Sequence, residues 1–487
     1  MLEGVSGLPS MKSFLPLLLL PFVAPGLLAQ SVTTTGNVIP GTPVSPNWNT
    51  GGNLSVGETA DGTVTVSGGA TVTNATGWLG TRRPYKGTMN VDGAGSTWTS
   101  TADIAVGNDG SGYLNITNGG KVANRDGYVA INTASYGSVV VSGQGSWWEN
   151  RSLFLGHQSN GYVTVRNGGK VTARDTRIGG ANSAHGELTI EGAGSVFENS
   201  WDVDVRQGYI TVASGGKLSV GLPGSPGFIS IGTGGNHSAL NIGSANLSNP
   251  TTAGTVEAEG GVYLHTFLSR LNFNQTDTTT FNSPISGEGS VYQQGTGTTI
   301  LTGSHDHTGL TQVLAGKLVV NGAINASVLT VGSGGTLGGY GDLYSVNASA
   351  GSFISPDGTL GITHGLTWQS GATLLFDLGG GAADLLDMNG ALWRTGAGGQ
   401  FVFDFTDTGW QEGETYTLIE FGSTNFNESD FSYSNGGSFA GDFILEGNSL
   451  KFHLTSIPEP SACMLGGLGL VALVIRRRRR SGTRAVR

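Results

Sequence analysis

The segment Gly112-Tyr-Leu-Asn-Ile116 decides the fold, because close versions of it recur through residues 62–220. The other copies are Gly62-Thr-Val-Thr-Val66, Gly87-Thr-Met-Asn-Val91, Gly137-Ser-Val-Val-Val141, Gly161-Tyr-Val-Thr-Val165, Gly186-Glu-Leu-Thr-Ile190 and Gly208-Tyr-Ile-Thr-Val212. Their leading glycines are 22 to 25 residues apart. A nearly fixed period of this length is the sequence mark of a stacked repeat.

Each repeat has the pattern of strand and turn. Leu114 and Ile116 point to one side and Tyr113 and Asn115 to the other, which predicts a strand with one buried face. A second short strand precedes most copies, and turns rich in Gly and Asn separate the two. One unit buries too little apolar surface to fold alone, so coils should stack. The sequence therefore predicts an all-β, single-stranded β-helix (β-solenoid) with coils of about 25 residues. It should be right-handed, as strand crossovers usually are, and should end in a small antiparallel β cap.

Aromatic residues occupy every second repeat. Trp98, Trp148 and Phe197 follow a Gly-Ser pair, whereas the intervening repeats have Gly-Gly-Lys and then an aliphatic residue. Packing in the core or at a corner is the favoured interpretation, because large aromatic side chains are usually buried. A sugar-stacking stripe on the solenoid surface is the alternative.

Composition and charge are typical of a secreted β protein. Glycine accounts for 84 of 487 residues without a triplet period, which indicates turns rather than collagen. Charged residues make up 12%. Residues 31–460 carry 16 basic and 33 acidic side chains, a net charge of −17 that disfavours nucleic-acid binding. Cys463 is the single cysteine, so an intramolecular disulfide and a cysteine-based metal site are excluded.

Changes in pattern divide the chain into five predicted segments. Residues 1–30 have the features of a signal peptide, with Lys12 before an apolar run, Ala29 at the cleavage site and Met11 as a second candidate start. The other segments are 31–283, a solenoid of about 25-residue coils that opens with a leading coil or cap; 284–383, a solenoid segment with a different repeat; 384–456, a C-terminal antiparallel β cap; and 457–487, a separate tail.

The different repeat is clearest in Val328-Leu-Thr-Val-Gly-Ser-Gly-Gly-Thr-Leu-Gly-Gly-Tyr-Gly341. It resembles the autotransporter-associated β-strand repeat, also called the passenger-associated transport repeat, over roughly residues 285–380. The resemblance implies a β-helical segment of a surface-exposed or secreted protein and brings no catalytic residues. A classical autotransporter passenger is an alternative for the whole chain. It is disfavoured because such proteins end in a long membrane β-barrel, whereas this chain ends in a basic tail.

The tail has three parts: Pro458-Glu459-Pro460, the apolar residues 462–475, and the basic run Arg476, Arg477, Arg478, Arg479 and Arg480. It resembles the PEP-CTERM sorting signal. The resemblance implies that exosortase, a membrane enzyme, processes the protein near the motif, in bacteria that produce exopolysaccharide or biofilm. Fourteen apolar residues are fewer than the roughly 20 that a membrane helix needs. We therefore expect transient inner-membrane insertion with the arginines on the cytoplasmic side; a simple tail anchor is the alternative.

The sequence contains two candidate clusters for chemistry. Asp202 and Asp204 share one outward face, but the expected neighbours in the preceding coil are Arg177 and Gly179, so a catalytic carboxylate pair is not predicted. His305-Asp306-His307 has the spacing of metal ligands, but no third ligand is evident and a solvated turn is expected. We therefore predict no catalytic, cofactor-binding or metal-binding residues.

These observations predict an exported, non-enzymatic β-solenoid at the cell surface or in the extracellular matrix, with a structural or adhesive role. The expected partners are an exosortase-type enzyme and either exopolysaccharide or a neighbouring cell surface, and no nucleic acid. The main alternative is a polysaccharide lyase or glycoside hydrolase on the same scaffold. That alternative requires carboxylates from adjacent coils to converge on one face.

Overall fold

The chain winds into a column with three faces, and consecutive coils pair in parallel on each face. The structure, a computed structural model, describes residues 29–180, 184–379, 383–398, 400–406, 411–434 and 439–456. Their regular structure is β-strand except for the short 3-10 helix Glu428–Asp430. The expected all-β solenoid is confirmed.

The strands fall into three stacks. The first face, which contains the recurring segments, consists of Gly62–Ser67, Lys86–Asp92, Ser111–Thr117, Tyr136–Ser142, Asn160–Arg166, Gly186–Glu191, Gly208–Ala213, Ser238–Gly243, Ser269–Asn274, Ser290–Gln293, Thr311–Val313, Ala391–Thr395 and Ser423–Thr424. The second face consists of Leu54–Val56, Gly77–Leu79, Ile104–Val106, Asp126–Val129, Ser152–Leu155, Asp175–Ile178, Val203–Val205, Phe228–Ile231, Gly261–Leu264, Ile285–Gly287, Ser304–His305, Leu385–Met388 and Thr415–Glu420. Ala323–Val331, Asp342–Ala348 and Thr359–Gln369 run across both of these faces.

The third face has a strand that the sequence analysis did not predict. It consists of Asn47–Asn49, Thr71–Asn74, Thr97–Ser100, Lys121–Ala123, Trp147–Glu149, Lys170–Ala173, Val196–Asn199, Lys217–Leu222 and Thr255–Ala258. A separate ladder continues it with Thr278–Phe281, Thr298–Leu301, Lys317–Val320, Thr336–Gly339, Phe353–Pro356, Thr373–Asp377, Phe401–Thr406 and Phe431–Ser434. The remaining strands are Ser31–Gly36, Val38–Ile39, Ser225–Pro226, Ala440–Glu446 and Ser449–Ser456.

The core consists of side-chain columns that run along the solenoid. Ile116 is fully buried between Val91 and Val141 of the neighbouring coils, as the alternation predicts. A column on the third face explains the two-coil period of the sequence. Its members alternate between large and small side chains in the order Trp98, Val122, Trp148, Val171, Phe197 and Leu218.

Core packing is therefore the correct interpretation of the aromatic residues. Trp98, Trp148 and Phe197 are fully buried. The indole nitrogen of Trp148 donates a hydrogen bond to Asn124 Oδ1 at 2.7 Å, which satisfies its polar group inside the protein. These three rings cannot form a sugar-binding stripe on the surface.

Both ends of the column carry antiparallel strands. Ser31–Gly36 pairs antiparallel with Gly62–Ser67 and covers the first edge. At the other end the parallel coils continue further than expected, since Phe401–Thr406 pairs in parallel with Thr373–Asp377. Phe401, Phe403 and Phe405 of the strand Phe401–Thr406 extend the interior columns. This arrangement favours another coil over an antiparallel cap. Antiparallel pairing is made only by the last strand, Ser449–Ser456, at this end of the described chain.

The recurring glycine marks a corner where two strands of one coil come very close. Gly112 lies in register with Gly87 and Gly137. A Cβ atom on Gly112 would overlap the backbone nitrogen of Gly107 and lie 2.7 Å from the carbonyl oxygen of Leu79. Glycine is needed here because the backbone approaches so closely.

We predict that Gly112→Ala destabilises the solenoid by about 3 kcal/mol, because backbone atoms cannot move aside as a side chain can. Denaturant midpoints, followed by circular dichroism, would measure the effect. Gly52→Ala is the matched control, since a Cβ atom there meets nothing within 4 Å. Equal midpoints for the two variants would contradict the corner assignment.

Candidate functional site

Asp202 and Asp204 lie on the second face beside an acidic residue that the sequence analysis missed. Asp204 pairs in register with Arg177, so Asp202 lies opposite Asp175. The expected neighbours, Arg177 for Asp202 and Gly179 for Asp204, were wrong. The coil from Arg177 to Asp204 is 27 residues long and not 25, which shifts the register. Three carboxylates therefore lie near one another along this side of the column.

These carboxylates are engaged by cations and donors. Asp204 Oδ2 lies 3.1 Å from Arg206 Nε and 3.5 Å from Arg177 Nε. Asp202 Oδ1 accepts a hydrogen bond from the backbone nitrogen of Phe228 at 2.9 Å. Asp175 Oδ2 accepts one from the Ser152 hydroxyl at 2.7 Å. The arrangement links neighbouring coils to one another.

An outward aromatic stack adjoins the carboxylates. The rings of Tyr128 and Phe154 stack at 4.9 Å with an angle of 9° between their planes. The Arg177 guanidinium lies 5.9 Å from the centre of the Phe154 ring. Burial raises the pKa of the Tyr128 hydroxyl, and the nearby charges of Asp103 and Asp126 raise it further. The phenol therefore stays neutral at physiological pH and presents a hydrogen-bonding edge to solvent.

His305 and His307 are in the core, not in the solvated turn that we expected. Both are fully buried. His305 lies in register with Ile285 and Ile324, so its ring fills an inward position that isoleucine takes in the adjacent coils. Neither of its ring nitrogens has a hydrogen-bond partner in the described part of the chain. His307 Nε2 lies 2.8 Å from Thr311 Oγ1.

Burial has a clear electrostatic consequence for this pair. Desolvation lowers the pKa of each imidazole to about 4, against a weaker opposing effect of Asp306. The proximity of His305 lowers the pKa of His307 further. Both rings are therefore neutral at physiological pH. Among the residues that the structure describes, no group of three or more His, Cys, Asp or Glu side chains could hold a metal ion.

We predict that stability falls as the pH drops below about 6.5, the usual pKa of histidine in an unfolded chain. Between that pH and about 4 the unfolded chain binds protons that the buried rings do not, so acid favours unfolding. At pH 5 the loss should be on the order of 2 kcal/mol per histidine. Denaturant midpoints at pH 5 and 7.5 would measure it.

His305→Ile, which matches the coils on both sides, should reduce this pH dependence. His265→Gln, at an exposed histidine, serves as the control and should leave it unchanged. If His305→Ile keeps the full pH dependence of the original chain, the buried neutral ring is not its cause.

A groove lies on the first face, where the coil period loosens after residue 220. Its volume is about 330 Å³, and Tyr209, Ser238, Leu247, Arg270 and Asn272 are among the residues that line it. The sequence analysis found irregular coils in this region but no site. The groove was missed because its walls come from loops of different coils.

The predicted sorting residues lie outside the described residues. These are Pro458, Glu459, Pro460, Arg476, Arg477, Arg478, Arg479 and Arg480. The last described strand, Ser449–Ser456, leads directly into this tail. Within the described part of the chain, no helix has the length and apolar character needed to cross a membrane.

Residues 456–480 match the family model of the PEP-CTERM protein-sorting motif. The chain carries a PEP-CTERM sorting signal. The match contains the Pro-Glu-Pro motif, the apolar segment and the arginine run, so the resemblance seen in the sequence is confirmed. The individual roles of Glu459 and the arginines stay predictions.

The chain also has an autotransporter adhesin among its relatives. It is 42% identical over 121 residues to the adhesin BmaC autotransporter of Brucella suis biovar 1 (strain 1330). The match covers 24% of this chain and 4% of that protein, so the chain spans a small part of the relative's length.

Similar solved structures include a hyper-glycosylated TibA fragment, with a TM-score of 0.39, 17% identity and coverage of 68% of this chain and 99% of that one. Another is the Haemophilus influenzae Hap adhesin, with a TM-score of 0.29, 10% identity and coverage of 79% and 63%. These likenesses are distant, and the fold is established here by the strand pairing itself.

Proposed function

We propose that the protein is an exported, non-enzymatic solenoid that exosortase processes and that acts as a structural or adhesive component at the cell surface or in the extracellular matrix. The observation that carries this proposal is the PEP-CTERM motif at residues 456–480. The motif directly follows a solenoid whose neighbouring coils are joined by parallel strand pairing. Such a column keeps its surface groups at fixed spacings. The sorting motif supplies the route to the surface.

An adhesive role has two kinds of support. The relative from Brucella suis is an adhesin. The first face also displays outward rows of aromatic and amide groups. Tyr136 lies between Tyr113 and Tyr162, with ring centres 5.8 and 5.6 Å away, and Asn115 Nδ2 donates to Asn90 Oδ1 at 2.9 Å. Rows of this kind suit polymers with a repeating polar surface, such as exopolysaccharide or the coat of a neighbouring cell.

A non-enzymatic role is supported by the engagement of the second-face carboxylates. A glycoside hydrolase needs one carboxyl group that gives up a proton and a second that acts as base or nucleophile. Asp175, Asp202 and Asp204 are instead held by arginine, hydroxyl and backbone amide groups, most of them in adjacent coils. These contacts favour an inter-coil structural role over acid–base catalysis.

The sorting step rests on the local chemistry of Pro458-Glu459-Pro460. Two prolines disfavour a helix at Glu459, since each fixes its own φ and restricts the residue before it. The motif would therefore be extended and would stand at the membrane boundary, before the apolar segment. The arginines would keep the far end cytoplasmic.

We predict that the mature exported protein lacks the residues beyond about Ser461, and that Glu459→Ala leaves full-length precursor in the inner membrane. Mass spectrometry of the surface and membrane fractions would test both points. Glu420→Ala, at an exposed carboxylate of the solenoid, is the matched control and should be trimmed normally. Recovery of peptides from residues 481–487 in the surface fraction would contradict the proposal and favour a permanent tail anchor.

A further inference from the structure

The floor of the first-face groove contains a gap between an aromatic ring and a cation. Tyr209, Ala239 and Arg270 occupy one outward column in three consecutive coils. With coils about 4.8 Å apart, the tyrosine and arginine positions are roughly 9.6 Å apart. Only the methyl group of Ala239 lies between them. Tyr209 is 38% exposed, so part of its ring is accessible to a ligand.

The walls of the groove are loops held in place by buried side chains. On one side is the loop 244–249, which carries Leu247, 58% exposed. The fully buried Asn274 holds this loop through Nδ2, which donates to the carbonyl oxygens of Ser244 at 3.0 Å and Asn246 at 2.8 Å. A groove built in advance loses less conformational entropy when a ligand binds.

The opposite wall is anchored in the same way. The hydroxyl group of Ser269, also fully buried, donates to the carbonyl oxygen of Ile231 at 2.8 Å. This contact fixes the loop that carries Leu268, which also lines the groove. Both walls are therefore anchored by hydrogen bonds from buried side chains.

Polar atoms inside the groove lack partners. Asn272 Oδ1 and Gln294 Oε1 belong to residues that line it and have no hydrogen-bond partner in the described chain. Asn272 is only 7% exposed. Asn272 Nδ2 donates to Asn241 Oδ1 at 2.8 Å, which sets the direction of its free carbonyl oxygen. Because an unpaired buried polar atom costs about 1–3 kcal/mol, a ligand rich in hydroxyl groups would be favoured.

The charge of the groove is opposite to that of the chain as a whole. The lining contains Arg270 and His237 and no carboxylate, although the chain has a formal net charge of −10. The Arg270 guanidinium lies 5.5 Å from the centre of the Tyr292 ring, which supports its position. A guanidinium offers paired donors that match the two oxygens of a carboxylate. The ligand should therefore carry a carboxylate.

Glu187 lies next to Tyr209 in this outward column, on the side away from Ala239. Its carboxylate contacts a histidine. Its Oε1 lies 2.8 Å from His185 Nε2. The His185 ring in turn packs edge-on against Tyr209, with 5.1 Å between ring centres. This contact braces the aromatic ring that forms one end of the groove floor.

We propose that this groove binds a uronate-type sugar of an acidic polysaccharide. The apolar face of the sugar ring packs on Tyr209, its carboxylate pairs with Arg270, and its hydroxyl groups bond to Asn272 and Gln294. The volume of about 330 Å³ lies near the lower end of the range for small-molecule sites, about 300–1,000 Å³. The inference rests on the adhesive role proposed above and names its ligand class.

The test is calorimetric titration of the mature exported chain with oligogalacturonate, oligoglucuronate and oligomannuronate, and with the neutral oligosaccharide cellohexaose. At least one oligouronate should bind and cellohexaose should not. Arg270→Gln and Tyr209→Ala should each weaken binding at least ten-fold. Gln294→Glu adds a carboxylate that should repel the ligand, so it should also weaken binding at least ten-fold. This variant keeps both the arginine and the tyrosine ring. A thermal melt of each variant would confirm that it folds.

Two matched controls lie on the same face, outside the groove. Arg166→Gln removes an exposed arginine, and Trp393→Ala removes an aromatic side chain that is 49% exposed. Both should bind as the original chain does. Absence of binding to all three oligouronates, equal binding of cellohexaose, or unchanged binding by folded Arg270→Gln would overturn the inference.

Adhesion of cells to surfaces coated with the bound polyuronate separates this inference from the proposed function. If Arg270→Gln cells adhere normally, the groove is not the binding site, but the adhesive role stands. If the original chain never reaches the surface, the proposed function fails, while titration of the purified chain still decides what the groove binds.

Discussion

The structure depends on backbone pairing between neighbouring coils on three faces at once. A coil can meet this condition only if its outline matches those of the coils before and after it. The glycine column at residues 87, 112 and 137 is one result, because a side chain at that corner would separate strands that must nearly touch. The alternation of Trp98, Val122 and Trp148 is another. A small side chain between two large rings leaves room for both, so the outlines of neighbouring coils still match.

The same condition explains where a binding site can form. Strands must keep their register, but the turns at the corners can lengthen without breaking the ladder. Ser238–Gly243 remains in register with Gly208–Ala213 although longer loops lie around it. Those loops project beyond the regular outline and form the walls of the groove. The regular coils thus provide stiffness, and the irregular ones provide a concave surface with unpaired polar atoms.

Alternation in the sequence was enough to predict the solenoid and its inward residues, because Ile116 and its equivalents repeat at nearly constant spacing. It did not predict the third strand, which spans only three or four residues in many coils and alternates aromatic with aliphatic residues between coils. The burial of His305 could have been found from its register with Ile285 and Ile324. The polar His-Asp-His sequence instead suggested a turn.

Errors in register came from corner turns of variable length. Asp202 faces Asp175 and not Arg177 because the coil from Arg177 to Asp204 has 27 residues, although the next step between leading glycines is shorter than the others. Spacing along the chain cannot reveal how residues are divided between turns. For the same reason the groove could not be predicted, since it depends on where loops of separate coils meet.

In-register stacking can be measured most directly by distances between paired spin labels. Residues 31–456 contain no cysteine, so cysteines introduced at Thr65 and, in turn, at Thr164, Thr189 or Thr211 can be labelled without background. These positions lie in one outward column. Stacked coils predict mean distances that increase by about 4.8 Å from each site to the next, with about 24 Å between Thr65 and Thr189. Distances that do not increase in equal steps would contradict the stacked, three-faced column.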